Sequence, residues 1–111
     1  AGNAIARSIA HVSSHLDAPI SIDDMATRAG MSRAVFHRKF KQVTTMAPIQ
    51  FVKSMRLNNA AMKIAGGMTV NEAAIDVGYV SPSQFSREFK RMYGQSPRQW
   101  SDDHQVVIGV A

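Results

Sequence analysis

The sequence predicts an all-α fold of about seven helices, in which two helix-turn-helix units are joined by a long linker helix. Apolar residues recur at helical spacing along most of the chain. Ser, Thr, Pro and Gly stand at the places where helices need to begin and end. One segment also occurs twice, which indicates two copies of the same supersecondary unit.

The composition is that of a globular chain and excludes several classes of protein. Hydrophobic residues make up 45% of the 111 residues. Cys is absent, so neither a disulfide framework nor a thiolate zinc site is possible. No apolar run approaches the ~20 residues that cross a bilayer. Because no signal peptide and no initiating Met are visible, we expect a piece of a longer protein. The absence of Cys fits a reducing cytoplasm.

The first predicted helix spans 4–16. Its apolar positions have helical spacing: Ile5, Ile9, Val12 and Leu16. His11 and His15 are four residues apart, which is a spacing that two metal ligands on one helix can have. No acidic or thiol partner lies nearby in the sequence. We therefore interpret both as surface histidines and predict no metal site.

The first helix-turn-helix, part of a unit over about 4–46, follows this helix. Ser21 is an N-cap for a short helix over 22–29, and Gly30 is suited to the left-handed residue that ends it. Ser32 then caps a basic helix over about 33–43. Two helices joined by a short turn that contains Gly form a helix-turn-helix.

A long linker helix is predicted from Pro48 to about Ala65, where Gly66 and Gly67 end it. Its buried side is predicted to be Ile49, Val52, Leu57, Ala60, Ala61 and Ile64. At 1.5 Å per residue this helix is about 27 Å long. Successive major grooves on one side of DNA are ~34–36 Å apart. We therefore expect the helix to space two DNA-binding units for adjacent grooves.

The second unit, over about 69–101, repeats the same signals. Its helices are predicted over 70–77 and 82–93, and Thr69 and Ser81 are their N-caps. Pro82 suits the first helical position, where its missing N–H costs nothing.

A last short helix starts at Ser96 and Pro97. We expect Trp100 to be buried against the second unit. No strong pattern continues over the tail 102–111, although Val106, Val107 and Ile108 would suit a docked end.

The two basic helices match position by position: Phe36 with Phe85, Arg38 with Arg87, Phe40 with Phe89, and Lys41 with Lys90. Phe residues four apart share one face of a helix. We therefore predict that the four Phe side chains and Trp100 are core rather than platforms on which bases stack. The opposite face of each helix is polar and basic, as a helix in a DNA major groove requires.

The net charge of +5 indicates a polyanionic partner. Basic residues gather over 28–41, 53–63 and 87–98, so most of them fall on the repeated segment. Double-stranded DNA is the partner we predict. An alternative is a helical protein-interaction module whose basic faces bind an acidic protein.

These segments resemble the DNA-binding domain of the AraC/XylS family of bacterial transcription regulators. The resemblance covers about 20–100 and depends on 56–60 (RLNNA), 73–79 (AAIDVGY), 81–90, Tyr93-Gly94 and Ser96-Pro97. Thr45 stands where the family usually has Gly, Ala47 where Ser or Thr is common, and Ser101 where Arg is frequent. The first of these departures bears on the geometry of the first unit's loop.

The resemblance implies a cytoplasmic regulator that binds promoter DNA as an activator or repressor. It also implies RNA polymerase as a partner and an effector or dimerisation domain outside this segment. The positions that match the family's motif, together with the exposed face of each basic helix, give the expected base contacts. These are Arg33, Ala34, His37, Arg38, Ser83, Ser86 and Arg87. The expected phosphate contacts are Ser32, Lys41, Ser81, Gln84, Lys90 and Arg91.

No enzyme is predicted. The sequence contains no Ser/His/Asp array, no carboxylate pair in an apolar setting and no Gly-rich phosphate loop. We therefore expect no catalytic residue, no cofactor and no metal. A second alternative is the DNA-binding part of a repair methyltransferase, since such proteins carry a similar domain. Their chemistry would need a Cys outside this segment.

Overall fold

In the computed structural model, which describes residues 2–18 and 20–104, the chain forms seven α-helices and no strand. They are α1 (Gly2–Ser14), α2 (Ile22–Arg28), α3 (Arg33–Thr44), α4 (Pro48–Ala65), α5 (Val70–Asp76), α6 (Pro82–Tyr93) and α7 (Pro97–His104). The predicted all-α fold is confirmed. Along the described residues, no helix combines the length and the apolar character that a membrane crossing needs.

The chain divides after Met55 into two compact units, so α4 contributes its first part to one unit and its second part to the other. Each unit has its own core. The first core contains Ile5, Val12, Leu16, Met25, Ala26, Phe36, Phe40 and Val52. The second contains Leu57, Ala60, Ala61, Ile64, Ala73, Ala74, Val77, Tyr79, Phe85 and Phe89. In each unit the basic helix therefore packs through its two Phe side chains.

The turns that precede α3 and α6 have the same hydrogen bonds. Gly30 has a φ of 70° and Gly78 a φ of 95°, the left-handed conformation that Gly adopts without strain. Each Gly N–H donates to the carbonyl three residues back, and the N–H of the next residue, Met31 or Tyr79, donates to the carbonyl five back. All four distances are 3.0 Å. The repeat in the sequence is thus a repeat in backbone geometry.

The ends of α1 and α7 differ from the prediction. α1 ends at Ser14, because the N–H groups of His15 and Ala18 bond to carbonyls three residues back and tighten the chain into turns. Leu16 lies in these turns and is still buried, at 8% exposure. α2, α3 and α5 end within one residue of their predicted ends.

α7 extends to His104, although the tail was expected to start at residue 102. His104 Nδ1 lies 2.9 Å from the carbonyl oxygen of Trp100, and the two rings stack at 4.3 Å. These contacts join one turn of α7 to the next. The rest of the predicted tail, including Val106, Val107 and Ile108, is outside the described residues.

One predicted core residue of α4 is exposed. Ile49 is 44% exposed, whereas Pro48 and Val52 are buried. Because Pro48 and Val52 are four residues apart, they define the inner face of the first turn, and Ile49 is rotated away from it. The other five predicted core residues of this helix are buried.

Candidate nucleic-acid interface

α3 begins at a side-chain cap and is held by two Phe rings. The hydroxyl oxygen of Ser32 accepts a hydrogen bond from the Val35 N–H at 3.3 Å. Phe36 and Phe40 are 0% exposed, with ring centroids 5.5 Å apart. The ring of Phe51 meets Phe40 edge-on at 5.3 Å. This apolar face fixes which side of α3 points to solvent.

The solvent side of α3 carries every residue that the sequence predicted for DNA contact in this unit: Ser32, Arg33, Ala34, His37, Arg38 and Lys41 are all exposed. Arg38 has no ion-pair partner among the described residues. Its five N–H donors are therefore available to an external acceptor.

α6 repeats this construction. The hydroxyl oxygen of Ser81 accepts a hydrogen bond from the Gln84 N–H at 3.2 Å, and Pro82 occupies the first helical turn. Phe85 and Phe89 are 1% and 0% exposed. Their centroids are 5.6 Å apart and their rings are inclined by 48°, against 49° for the pair on α3. The two Phe pairs therefore hold their helices in the same way, as predicted.

The solvent side of α6 carries the remaining predicted contacts: Ser83, Gln84, Ser86, Arg87, Lys90 and Arg91 are exposed, and Ser81 is partly exposed. Asp76, the last residue of α5, pairs with Lys63 at 2.5 Å. Within the part of the chain that is described, Arg87 has no ion-pair partner.

Arg33 differs from the other predicted base contacts because it is already paired. Its Nη1 lies 3.2 Å from a carboxylate oxygen of Asp23 on α2, and the two side chains are 70% and 68% exposed. Ion pairs this exposed contribute little stability. The pair can therefore open for DNA at small cost, but it competes with a base contact by Arg33.

Thr45 ends α3 in the conformation that Gly94 adopts at the end of α6. Their φ values are 66° and 78°, and each N–H donates at 2.8 Å to the carbonyl four residues back. Thr45 is the residue other than Gly with a positive φ in the described chain. The first unit thus keeps the cap geometry of the second in spite of the departure from the family pattern.

The two predicted surface histidines stack on each other. The His11 and His15 rings are 4.3 Å apart, and His15 Nδ1 lies 2.8 Å from the His11 carbonyl oxygen. Among the described residues, no group of three or more His, Asp or Glu is placed to hold a metal ion.

Trp100 packs against the second core through the edge of Phe89, with centroids 5.9 Å apart, but it is only partly buried. Trp100 thus packs on the second unit, as predicted. The ring of Tyr93, the last residue of α6, is 4.6 Å from Phe89 and 6.0 Å from Trp100.

Two tyrosine contacts of the second unit were not predicted. The Tyr93 hydroxyl donates a hydrogen bond to Asn58 Oδ1, and the Tyr79 hydroxyl donates to Glu88 Oε1 at 3.4 Å. Burial, followed by the Glu88 carboxylate, raises the pKa of Tyr79 to about 12. Burial also raises the pKa of Tyr93. Both hydroxyls are therefore protonated donors at neutral pH.

Comparison with known proteins places this geometry in a family. A family model described as a helix-turn-helix domain matches residues 25–103. Regulatory protein SoxS of Escherichia coli (strain K12) is 33% identical over 90 residues, which are 80% of this chain and 84% of SoxS. The HTH-type transcriptional regulator MtrA of Neisseria gonorrhoeae is 38% identical over 81 residues, which are 72% of this chain and 27% of MtrA.

A solved structure agrees with these sequence matches. The DNA-binding domain of AdpA, a global transcriptional factor crystallised in complex with a target DNA, is 30% identical and superposes with a TM-score of 0.82. The match covers 89% of this chain and 90% of that domain.

Proposed function

The chain belongs to the AraC/XylS family of helix-turn-helix transcription regulators, and we propose that it recognises promoter DNA through α3 and α6. In this proposal each helix enters a major groove, and the two grooves are adjacent on one operator. The observation that carries the proposal is the duplicated surface itself. Two helices with the same side-chain cap and the same buried Phe pair each present an exposed basic face.

Arg38 and Arg87 are the main base contacts in this proposal. They occupy the same position in the repeat, both are exposed, and neither has an ion-pair partner in the described chain. A guanidinium can donate two hydrogen bonds to guanine O6 and N7, worth about 1–3 kcal/mol of discrimination. We infer that each arginine specifies one base pair of the operator.

Smaller side chains surround these arginines on the same faces. Ala34, Ser83 and Ser86 are short, so they let each helix approach the base edges closely. Ala34 suits contact with a thymine methyl, and His37 suits a hydrogen bond to a base edge. Arg33 joins this set only when its pair with Asp23 opens.

Phosphate contacts complete the proposed interface. Lys41, Lys90 and Arg91 lie toward the later turns of α3 and α6, where their long cationic side chains are exposed. Ser32, Ser81 and Gln84 lie at the helix starts, where the helix dipole favours an anion. Such contacts set the register of the protein on DNA and carry no sequence information.

Salt dependence tests this proposal against a protein-interaction module. We expect the chain to bind duplex DNA as a monomer, and the logarithm of its affinity to fall linearly with the logarithm of salt concentration. Each phosphate that is neutralised contributes about −0.9 to that slope. Fluorescence anisotropy with a labelled operator measures it, and an affinity equal at low and moderate salt would contradict the proposal.

Further partners follow from the family rather than from the geometry. We propose that RNA polymerase is a partner and that the regulator acts in the cytoplasm, where bacterial promoters are. We also propose an effector or dimerisation domain in the full-length protein, because this domain makes up only 27% of MtrA. SoxS represents a second arrangement, in which the matched domain makes up most of the protein, 84% of its length. The domain is proposed to act by binding alone, without catalysis.

A further inference from the structure

α6 is tied to the rest of its unit by polar contacts at two points. At its C-terminal end the Tyr93 hydroxyl donates to Asn58 Oδ1 on α4, a residue 35 positions earlier. In its middle, Glu88 accepts from the hydroxyl of Tyr79, which lies in the turn before the helix and is 9% exposed.

α3 lacks these contacts because its sequence differs at the matching positions. Lys39 stands in the place of Glu88, and Thr44 in the place of Tyr93. The Thr44 hydroxyl bonds locally, at 2.9 Å, to the carbonyl oxygens of Phe40 and Met46. Among the described residues, the polar link from α3 to another helix is the exposed pair of Arg33 with Asp23.

This difference matters because the proposed arginine contacts depend on angle. Bidentate pairing needs the side chain placed within about 0.5 Å and 10–20°. Glu88 follows Arg87 directly, so holding Glu88 toward the turn fixes the rotation at which Arg87 leaves the helix. Tyr93 lies six residues after Arg87, which is about 9 Å along the helix axis. Its hydrogen bond to Asn58 on α4 restrains the tilt of α6.

We propose that the contacts of Tyr93 with Asn58 and of Tyr79 with Glu88 are positioning contacts for α6, which make the second unit discriminate between bases more strictly than the first. This inference rests on the proposed function and deepens it. The four residues touch neither bases nor phosphates in this account. They act through Arg87 and its neighbours on the exposed face.

The test uses the full chain and an operator selected with the wild-type protein. Arg38→Ala and Arg87→Ala first identify which base pairs each helix reads. Tyr93→Phe, which removes the hydroxyl and keeps the packed ring, is then measured against single-base variants of the operator. We expect discrimination at the positions read by α6 to fall about threefold to fivefold, the effect of one hydrogen bond. Discrimination at the positions read by α3 and affinity for unrelated DNA should not change.

Asn58→Ala should reproduce the effect of Tyr93→Phe, and Asn59→Ala, its exposed neighbour, is the matched control that should change nothing. If base discrimination fell equally at the positions read by α3 and by α6, the contacts would have a merely structural role and the proposal would be overturned. Unchanged discrimination at the positions read by α6 would also overturn it. Amide hydrogen exchange of the free protein gives a reading that needs no operator. If the amides of α6, and of no other helix, exchange faster in Tyr93→Phe than in the wild-type protein, the proposal is supported. If exchange in α6 is the same in both proteins, the proposal is contradicted. Failure of the proposed function would appear separately, as a wild-type protein that prefers no operator.

Discussion

Replacing Thr45 by Gly should stabilise the first unit. Thr45 has a φ of 66°, a left-handed conformation that costs a residue other than Gly roughly 1–2 kcal/mol. Gly adopts it freely but loses about 0.5–1 kcal/mol more conformational entropy on folding. The difference leaves a net gain of about 1 kcal/mol for Thr45→Gly. The cap hydrogen bond to the Lys41 carbonyl is made by the backbone, so the substitution preserves it.

Gly94 provides the matched reverse experiment, because it closes α6 with a φ of 78° and the same 2.8 Å bond. A Cβ added to Gly94 would meet nothing within 4 Å, so Gly94→Ala tests backbone strain without a steric clash. We expect it to lose about 1 kcal/mol. In a chain of 111 residues that amount corresponds to a shift in Tm of about 4 °C.

Differential scanning calorimetry of both variants measures these shifts. A rise in Tm for Thr45→Gly together with a fall for Gly94→Ala supports the strain argument. If Thr45→Gly lowered Tm, the side chain of Thr45 would stabilise the loop by more than its backbone conformation costs, and the reasoning would be refuted. Operator affinity should be unchanged in Thr45→Gly, since the residue is not a proposed DNA contact.

Two further predictions concern the core and pH. Phe85→Ala should lower the free energy of unfolding by about 3–5 kcal/mol, because the ring is 1% exposed; chemical denaturation measures this, and a fully stable variant that no longer binds DNA would reverse our assignment of faces. The pKa of Tyr79 is raised from 10.0 to about 12, so the unfolded chain loses this proton first as pH rises. Stability from this group should therefore be intact below pH 10 and fall by about 2–3 kcal/mol between pH 10 and 12. Across this pH range, chemical denaturation should show that the free energy of unfolding falls less in Tyr79→Phe than in the wild-type protein. An equal fall in both proteins would contradict the role of the hydroxyl.

Helix ends were predictable where local chemistry determines them. α4 and α6 begin and end at the predicted residues because Pro48, Pro82, Gly66 and Gly94 stand at or next to those ends. α7 reaches His104, past the predicted start of the tail, and the rings of Trp100 and His104 stack there. Stacking of this kind leaves no distinct spacing signal in a single sequence.

The exposed faces of α3 and α6 were predictable for a related reason. A Phe pair at helical spacing determines the buried side, and everything opposite to it is exposed. The partners of individual side chains were not predictable. Arg33 meets Asp23 across a turn, and Tyr93 meets Asn58 across 35 positions. Such pairs depend on how helices cross, which residue spacing within one helix does not encode.

The most direct test of the account is the base preference of three variants on one selected operator. If both helices read bases, Arg38→Ala and Arg87→Ala should each reduce the discrimination between bases at one operator position by about 1–3 kcal/mol. The two positions should lie about one helical turn of DNA apart. Lys41→Ala should instead weaken binding to all sequences alike and flatten the salt slope by about one unit. Should Arg38→Ala behave like Lys41→Ala, α3 would serve only to hold the DNA backbone, and the proposal of two base-reading helices would be contradicted.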